Sequence, residues 1–160
     1  MIRHPDLKGK DRKFQPMTRH VLFLCTGNYY RSRFAEQFFN ARASQLRLGW
    51  IADSRGIELG AENVGAVSAY AVGRLQAHGI AVDRNTRFPI QLQAEDLTWA
   101  DLIIALDEVE HRPLLEKHFP ALAHRVEYWQ VPDLERASPD EALSMIEREI
   151  GSLIRRLVSV

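Results

Sequence analysis

Four short apolar runs, separated by longer segments with helical spacing, constrain the fold of this chain more than any other feature. The runs are HVLFLC, GWIAD, DLIIAL and RVEYW, which begin at residues 20, 49, 101 and 125. Runs of this length are typical of strands buried on both faces, and strands that alternate with helices form a parallel sheet. We therefore expect a single-domain α/β fold, with about four parallel strands in a doubly wound sheet and helices on both faces.

Between these runs, apolar side chains recur three or four positions apart, which is the period of an amphipathic helix. Two early helices are expected to bury this face against the sheet, and the second should stop at His78-Gly79. Their apolar-face positions are Phe34, Phe38 and Ala41 in the first and Val67, Tyr70, Ala71, Arg74 and Leu75 in the second.

Two further helices are predicted in the second half of the chain. One should start near Val109, with Pro113 in its first turn, and end before Pro120. The other should start at SPDEA, where Ser138 can cap the helix and Glu141 can close a capping box. Its apolar stripe indicates core packing or, alternatively, a partner helix. The stripe consists of Leu143, Ile146, Ile150, Leu153, Ile154 and Leu157.

Length, composition and charge narrow the class of protein. A chain of 160 residues, with 46% apolar and 26% charged side chains, suits one folded domain. Because 21 basic residues balance 21 acidic ones, we expect neither a nucleic acid nor a membrane as a partner. The single cysteine excludes an internal disulfide and a multi-cysteine metal site, and it favours a reducing compartment. We expect a cytoplasmic protein.

The first 19 residues differ from the rest in composition. They contain two prolines, few core-forming side chains and no apolar run that would act as a secretory leader. We expect a basic, flexible extension over residues 1–19 and one domain over residues 20–160. The extension either stays solvated or docks an acidic or phosphorylated partner. Its basic residues are Arg3, Lys8, Lys10, Arg12, Lys13 and Arg19.

The stretch CTGNYYRS lies where the first strand ends and the first helix begins. Ligands of parallel sheets bind beyond the carboxyl ends of strands, and main-chain N–H groups at a helix N-terminus bind anions. Gly27 can adopt a positive φ and Asn28 tolerates one, so the turn can curl tightly. No Asp or Glu interrupts it, and we therefore expect a phosphate-binding loop. The loop consists of Thr26, Gly27, Asn28, Tyr29, Tyr30, Arg31 and Ser32.

Cys25 and Arg31 suggest what this loop does. The planar guanidinium of Arg31 can hold two phosphate oxygens, and the positive surroundings favour a thiolate at Cys25. A bound phosphate would meet the sulfur in line, which predicts displacement at phosphorus through a phosphocysteine intermediate. This chemistry requires no metal and no cofactor. The alternative is a buried structural cysteine.

A leaving group also needs a proton, and Asp133 in QVPDLER follows the fourth apolar run at the same edge of the sheet. A carboxyl there can act as general acid and then as general base, although an Asp in this context can also be a turn former. The histidines are expected to be structural or solvated, at a helix end or on the surface. They are His78, His111, His118 and His124.

VLFLCTGNYYRSRFAE resembles the signature VLFVCxGNxCRSPxAE of the low-molecular-weight protein tyrosine phosphatase family. ADSRG, NVG, LQAHGI, ADLIIALDE and VPDLER resemble further family segments in the same order, so the likeness covers about residues 20–158. The resemblance implies Cys25 as nucleophile, Arg31 as phosphate ligand and Asp133 as general acid. It also implies a supporting hydrogen-bond network of Asn28, Ser32 and Ser54.

Several positions depart from the family pattern. Tyr30 replaces the second loop cysteine, Arg33 replaces a proline, and Arg84 stands where the family often has a histidine. Pocket-wall aromatics are replaced by Glu62, Leu134 and Glu135. Phosphotyrosine recognition needs apolar walls, and Tyr29 can supply one of them.

We predict a cysteine-dependent phosphatase that acts on phosphorylated proteins, with phosphotyrosine the leading substrate, or on small phosphate esters. The alternatives are a non-catalytic phosphate-binding module and a glutathione-coupled arsenate reductase.

Overall fold

The four apolar runs form one parallel sheet in the computed structural model, which describes residues 17–61, 63–83 and 86–159. Its strand order is β2-β1-β3-β4, and every pair of neighbouring strands is parallel, as the sequence predicted. The strands are β1 (Arg19–Cys25), β2 (Trp50–Gly56), β3 (Leu102–Ala105) and β4 (Val126–Tyr128). The helices are α1 (Arg31–Gln45), α2 (Ala69–Ala77), α3 (Ala94–Trp99), α4 (Glu108–His118) and α5 (Pro139–Val158), and a 3-10 helix (Ala123–Arg125) precedes β4.

Side chains of β1 point alternately to the two faces of the sheet, and each face is covered by its own helices. Val21 and Phe23 lie in a core with α1, α2 and α5. Leu22 and Leu24 lie in a second core with residues of α3 and α4. All four are fully buried, and each contributes about 1.5–3 kcal/mol through burial. The prediction of helices on both faces is confirmed.

The central position of β1 determines where a ligand can bind. β1 pairs with β2 along its whole length and with β3 on its other side. The chain leaves Cys25 between two neighbouring strands, at the point where consecutive connections turn to opposite sides of the sheet. Such switch points form the crevice in which α/β proteins bind ligands.

Four predicted details were wrong. Pro113 was placed in the first turn of its helix, but it lies inside α4, in the second turn. Helix α3 was not predicted, because six residues are too few to show helical periodicity; a capping box between Gln93 and Asp96 starts it. Tyr70 was placed on a buried face, but it is 53% exposed, because the short α2 packs on α1 and α5 instead of on the sheet. Arg19, which was assigned to the extension, begins β1. Residues 17 and 18 of the predicted extension are exposed, and residues 1–16 lie outside the described residues.

Helix α5 follows its prediction closely. The Ser138 side chain accepts a hydrogen bond from the Glu141 amide, and the Glu141 carboxylate accepts one from the Ser138 amide, both at 3.1 Å. Five of its six stripe residues are buried in the core against α1, and Leu157 is half-buried there. The stripe is therefore core packing. None of the helices in the described ranges is long and apolar enough to cross a membrane.

We expect Ser138→Ala to lower the free energy of unfolding by about 1 kcal/mol, because the Glu141 amide at the start of α5 loses its capping acceptor. Urea denaturation measures this change. Ser152→Ala, at an exposed position of the same helix, is the control and should change stability by less than about 0.5 kcal/mol. Equal effects of the two substitutions would contradict the capping argument.

Candidate functional site

The turn after Cys25 is held in shape by one left-handed residue and one close approach. Asn28 has φ of 51°, as the sequence suggested. Gly27 does not have a positive φ, so that expectation was wrong. Glycine is needed there for space, since a Cβ atom would lie 2.7 Å from the side-chain nitrogen of Asn63. A larger residue at position 27 would displace Asn63 or the loop.

The main-chain N–H groups of residues 26–32 are the groups of this turn that can bind an anion. Within the described part of the chain, none of them donates a hydrogen bond to a protein acceptor. They lie at the N-terminus of α1, where no side chain caps the helix. Unpaired N–H groups at a helix start carry partial positive charge and bind anions. The structure therefore places a set of free donors where the sequence predicted a phosphate-binding loop.

Cys25 lies at the bottom of this turn and is almost fully buried. Its Sγ is 2.9 Å from the hydroxyl oxygen of Ser32. That oxygen accepts a hydrogen bond from the side-chain nitrogen of Asn28 at 2.9 Å, and its own proton can be donated to an ionised sulfur. A hydroxyl that donates to sulfur favours the thiolate.

The side chain of Asn28 uses all of its hydrogen-bonding capacity. Its nitrogen donates to the hydroxyls of Ser32 and Ser54, at 2.9 and 2.8 Å. Its oxygen accepts from Arg87 Nη1 and from the amide of Ile90, both at 3.0 Å. The structure thus brings Asn28, Ser32 and Ser54 together in one buried network, where the family resemblance placed them.

Arg87 completes this network and was missed in the sequence. Its Nη2 donates to the Ser54 carbonyl at 2.7 Å and to Asp53 at 2.9 Å, and it lies 3.3 Å from Glu36. The sequence pointed instead to Arg84, which lies outside the described residues. No local spacing marks Arg87, since its partners come from β2, α1 and the loop.

Arg33, which stands in place of the family proline, is another buried support. It is 1% exposed, and its Nη1 donates to the Arg87 carbonyl at 2.8 Å. Its Nε lies 3.5 Å from the Glu36 carboxylate. Burial raises the pKa of Glu36 more than the hydrogen bond from Ser54 and the charges of Arg33 and Arg87 lower it. The position therefore links α1 to the segment that contains Arg87.

Arg31 lies in the wall of the turn and points toward two other elements. Its Nη1 donates to the Val131 carbonyl at 3.0 Å, and its Nη2 lies 3.6 Å from Asp133 Oδ2. The Asp133 side chain is half-exposed, at the mouth of the turn. Cys25, Arg31 and Asp133, predicted from three separate stretches, therefore converge on one side of the sheet.

Glu110 and His111 were not predicted to be part of this site. Glu110 Oε2 accepts a hydrogen bond from Arg31 Nη2 at 2.8 Å and a short one from the Thr26 hydroxyl, and lies 3.2 Å from His111 Nε2. His111 was expected to be structural or solvated on the surface, but its side chain is completely buried, with Nδ1 accepting from the Asp107 amide. The signal was available, because LDEVEH follows the third apolar run at the same edge of the sheet.

The two tyrosines of the turn have different surroundings. Tyr29 is half-buried, and its hydroxyl donates to the Val64 carbonyl at 2.7 Å. Tyr30 is buried and packs edge to face on Tyr70. Burial, reinforced by the charge of Asp133, raises the pKa of Tyr30 to about 12, so its hydroxyl stays protonated.

The residues that replace the aromatic walls are not gathered against the turn. Leu134 and Glu135 are exposed, next to Asp133. Glu62 lies outside the described residues. In the described ranges, no group of three or more His, Cys, Asp or Glu side chains could hold a metal ion.

The central strand of a parallel sheet thus ends in a cysteine and leads into a turn of free amides backed by an arginine. This arrangement defines an α/β protein with a phosphate-binding loop. The family model "Low molecular weight phosphotyrosine protein phosphatase" matches residues 20–157, and the chain belongs to that family. The resemblance seen in the sequence is confirmed.

Individual relatives agree with this family. The chain is 38% identical over 100 residues to a low molecular weight protein-tyrosine-phosphatase of Streptomyces coelicolor, covering 61% of this chain and 58% of that protein. It is 33% identical over 106 residues to the low molecular weight phosphotyrosine protein phosphatase of Sus scrofa, covering 64% of each. The matched region thus spans less than two thirds of either relative. The structure of a low molecular weight protein tyrosine phosphatase from T. tengcongensis matches with a TM-score of 0.70 at 29% identity, covering 88% of this chain and 98% of that one.

We expect Arg87→Met to lower the free energy of unfolding by about 2 kcal/mol, because it leaves buried acceptors of the loop support without their cation. Urea denaturation measures the loss, and hydrogen exchange at the Ile90 amide should become faster. Arg156→Met is the matched control, since Arg156 pairs with Glu127 at the surface and should contribute less than about 0.5 kcal/mol. Similar losses in the two variants would show that Arg87 is an ordinary surface arginine.

Proposed function

We propose that this chain is a phosphomonoester hydrolase that acts through a phosphocysteine intermediate, with phosphotyrosine proteins as its leading substrates. The observation that supports this most directly is the Ser32 hydroxyl 2.9 Å from Cys25 Sγ, beneath a turn of unpaired main-chain N–H groups. A structural cysteine would need neither the hydroxyl nor the free donors. Together they suit an ionised sulfur facing a tetrahedral oxyanion.

In the first step, the Cys25 thiolate attacks phosphorus. A sulfur–phosphorus bond forms while the bond from phosphorus to the leaving oxygen breaks, and Asp133 gives its proton to that oxygen. The free amides of the loop and the Arg31 guanidinium hold the other phosphate oxygens as charge spreads over them. Asp133 is at the mouth of the turn, where a leaving group would emerge.

In the second step, water attacks the phosphocysteine. Asp133, now a carboxylate, takes a proton from the water, the new oxygen–phosphorus bond forms, and the sulfur leaves as a thiolate. The products are inorganic phosphate and the free enzyme. Ser32 can donate to the sulfur in both steps: it helps to keep the sulfur ionised before the attack, and it stabilises the thiolate that leaves in the second step.

Substrate preference follows from the rim of the turn. The half-buried ring of Tyr29 offers one wall for an aromatic leaving group, and Leu134 offers an exposed apolar side chain next to Asp133. We therefore place phosphotyrosine first and small phosphate esters second. Because a single free thiol suits a reducing compartment, we place the reaction in the cytoplasm.

The proposal is tested by hydrolysis of para-nitrophenyl phosphate by the full chain. We expect phosphate release that Cys25→Ser abolishes, while thermal stability stays close to that of the wild type. Binding without release in the wild type would identify a phosphate-binding module. Arsenate reduction that depends on added glutathione would identify a reductase. A panel of phosphotyrosine peptides, phosphoserine, phosphoarginine and small esters then ranks the substrates.

Asp133→Ala should lower turnover by about a hundredfold or more on substrates with poor leaving groups, and much less on good ones, because only poor leaving groups need the proton. Steady-state kinetics on aryl phosphates of graded acidity measures this dependence. Glu135→Ala, an exposed carboxylate two positions along, is the control and should leave the dependence unchanged. An equal loss on all substrates would remove Asp133 from the role of general acid.

A further inference from the structure

We propose that Glu110 determines which protonation state of a phosphoryl group this site accepts, favouring a group that carries one proton over the dianion. The inference rests on the proposed function, since it concerns the same loop and the same arginine. It follows from three observations: the contacts of Glu110, the charges around it, and the hydrogen-bonding capacity of its carboxylate.

The first observation is that Glu110 occupies donors that a bound phosphate would use. Its Oε2 accepts from Arg31 Nη2 at 2.8 Å and from the Thr26 hydroxyl at the start of the loop. The other terminal nitrogen of Arg31 already donates to the Val131 carbonyl. A phosphate held by both prongs of the guanidinium therefore has to share Nη2 with the Glu110 carboxylate.

The second observation is the balance of charge around Glu110. Among the described residues, Arg31 is the one cation that contacts it, while Asp133 brings a second acidic side chain 3.6 Å from the same Nη2 and Cys25 brings the sulfur. On the side of α4, Asp107 is paired with Arg136, so this pair adds no net charge. A dianion would add two charges to a site that already contains more acidic than basic groups.

His111 does not supply a second cation. Its Nδ1 accepts a hydrogen bond from the Asp107 amide at 3.0 Å, which places the proton of the neutral ring on Nε2, 3.2 Å from Glu110 Oε2. Burial lowers the pKa of His111 in spite of the neighbouring Glu110 carboxylate. His111 therefore lies beside the Glu110 carboxylate as a neutral ring and adds no positive charge.

The third observation is that Glu110 remains available as an acceptor. Burial favours its neutral form, but the contacts from His111, Arg31 and Thr26 outweigh burial and hold the pKa of Glu110 well below its usual range. A carboxylate cannot donate to a phosphate oxygen, but it can accept from a P–OH group. A phosphoryl group that carries one proton can therefore donate a hydrogen bond to the Glu110 carboxylate, whereas a dianion is only repelled by it.

Sulfate and inorganic phosphate separate this effect from other titrations. Both are tetrahedral, but phosphate gains a proton between about pH 8 and about pH 6, whereas sulfate stays a dianion. A change of charge on the protein affects the binding of both ions. The ratio of phosphate affinity to sulfate affinity therefore reports the proton on the ligand.

The experiment measures both dissociation constants by calorimetry on the full chain, at about pH 6 and about pH 8. In the wild type we expect the phosphate-to-sulfate affinity ratio to rise about tenfold on going to the lower pH. In Glu110→Gln we expect sulfate to bind about tenfold more tightly than in the wild type, and the ratio to change less than about threefold. A damaged fold would weaken binding, not strengthen it.

Glu108→Gln is the matched control, because Glu108 carries the same charge on the same helix but pairs with Arg112 and Gln130 at the surface. It should behave like the wild type. Glu110→Ala makes the same comparison if the glutamine variant does not fold. If the Glu110 variants kept both the wild-type pH dependence of the ratio and the wild-type sulfate affinity, the inference would be overturned, while hydrolysis by the wild type would leave the proposed function standing. Absence of both anion binding and hydrolysis in the wild type would overturn both.

Discussion

The four hydrogen bonds of the Asn28 side chain hold together the turn after Cys25 and the residues that support it. From a left-handed backbone, one side chain joins the sulfur-contacting Ser32, the β2 residue Ser54, the arginine Arg87 and the main chain at Ile90. Because the amide is buried, each lost partner would leave an unpaired polar group and destabilise the native state. The same bonds that hold the turn also orient the Ser32 proton toward sulfur, so the folding of the loop and its chemistry cannot be separated.

Beneath this amide, the protein uses buried arginines as structural elements. Arg33 holds the carbonyl of Arg87, and Arg87 holds the carbonyl of Ser54 and the carboxylate of Asp53. Planar guanidinium groups suit this task, because each donates in several directions at once. Glu36 lies between the two arginines and offsets their charge in a region with little water. The charges beneath the loop thus nearly cancel. Two further acidic side chains, Glu110 and Asp133, lie at its mouth beside Arg31.

Patterns among neighbouring residues in the sequence predicted the elements whose conformation depends mainly on those neighbours. The four strands, the turn after Cys25 and the capped start of α5 all followed from apolar runs, turn residues and a capping box. Glu110 and Arg87 did not, because they reach the loop and its support from segments 33 to 84 positions away in sequence from the residues they contact, and His111 comes with Glu110. The turn itself contains no acidic residue, but this did not reveal that the Glu110 carboxylate contacts it from another segment. Gly27 shows the same limit. Glycine at this position leaves room for the side chain of Asn63, which is distant in sequence, and its φ angle is not positive.

The buried ring of Tyr30 has a consequence for the chemical fate of the sulfur. Cys25 has a hydroxyl as its nearest partner, and the chain contains no other thiol. Once an oxidant converts the sulfur to sulfenic acid, no internal disulfide can trap it, and further oxidation becomes irreversible. Reversal then depends on a small thiol that diffuses into the turn, past the carboxylates of Glu110 and Asp133. The lifetime of the active protein under oxidative stress is therefore set by its surroundings in the cell and not by a safeguard within the fold.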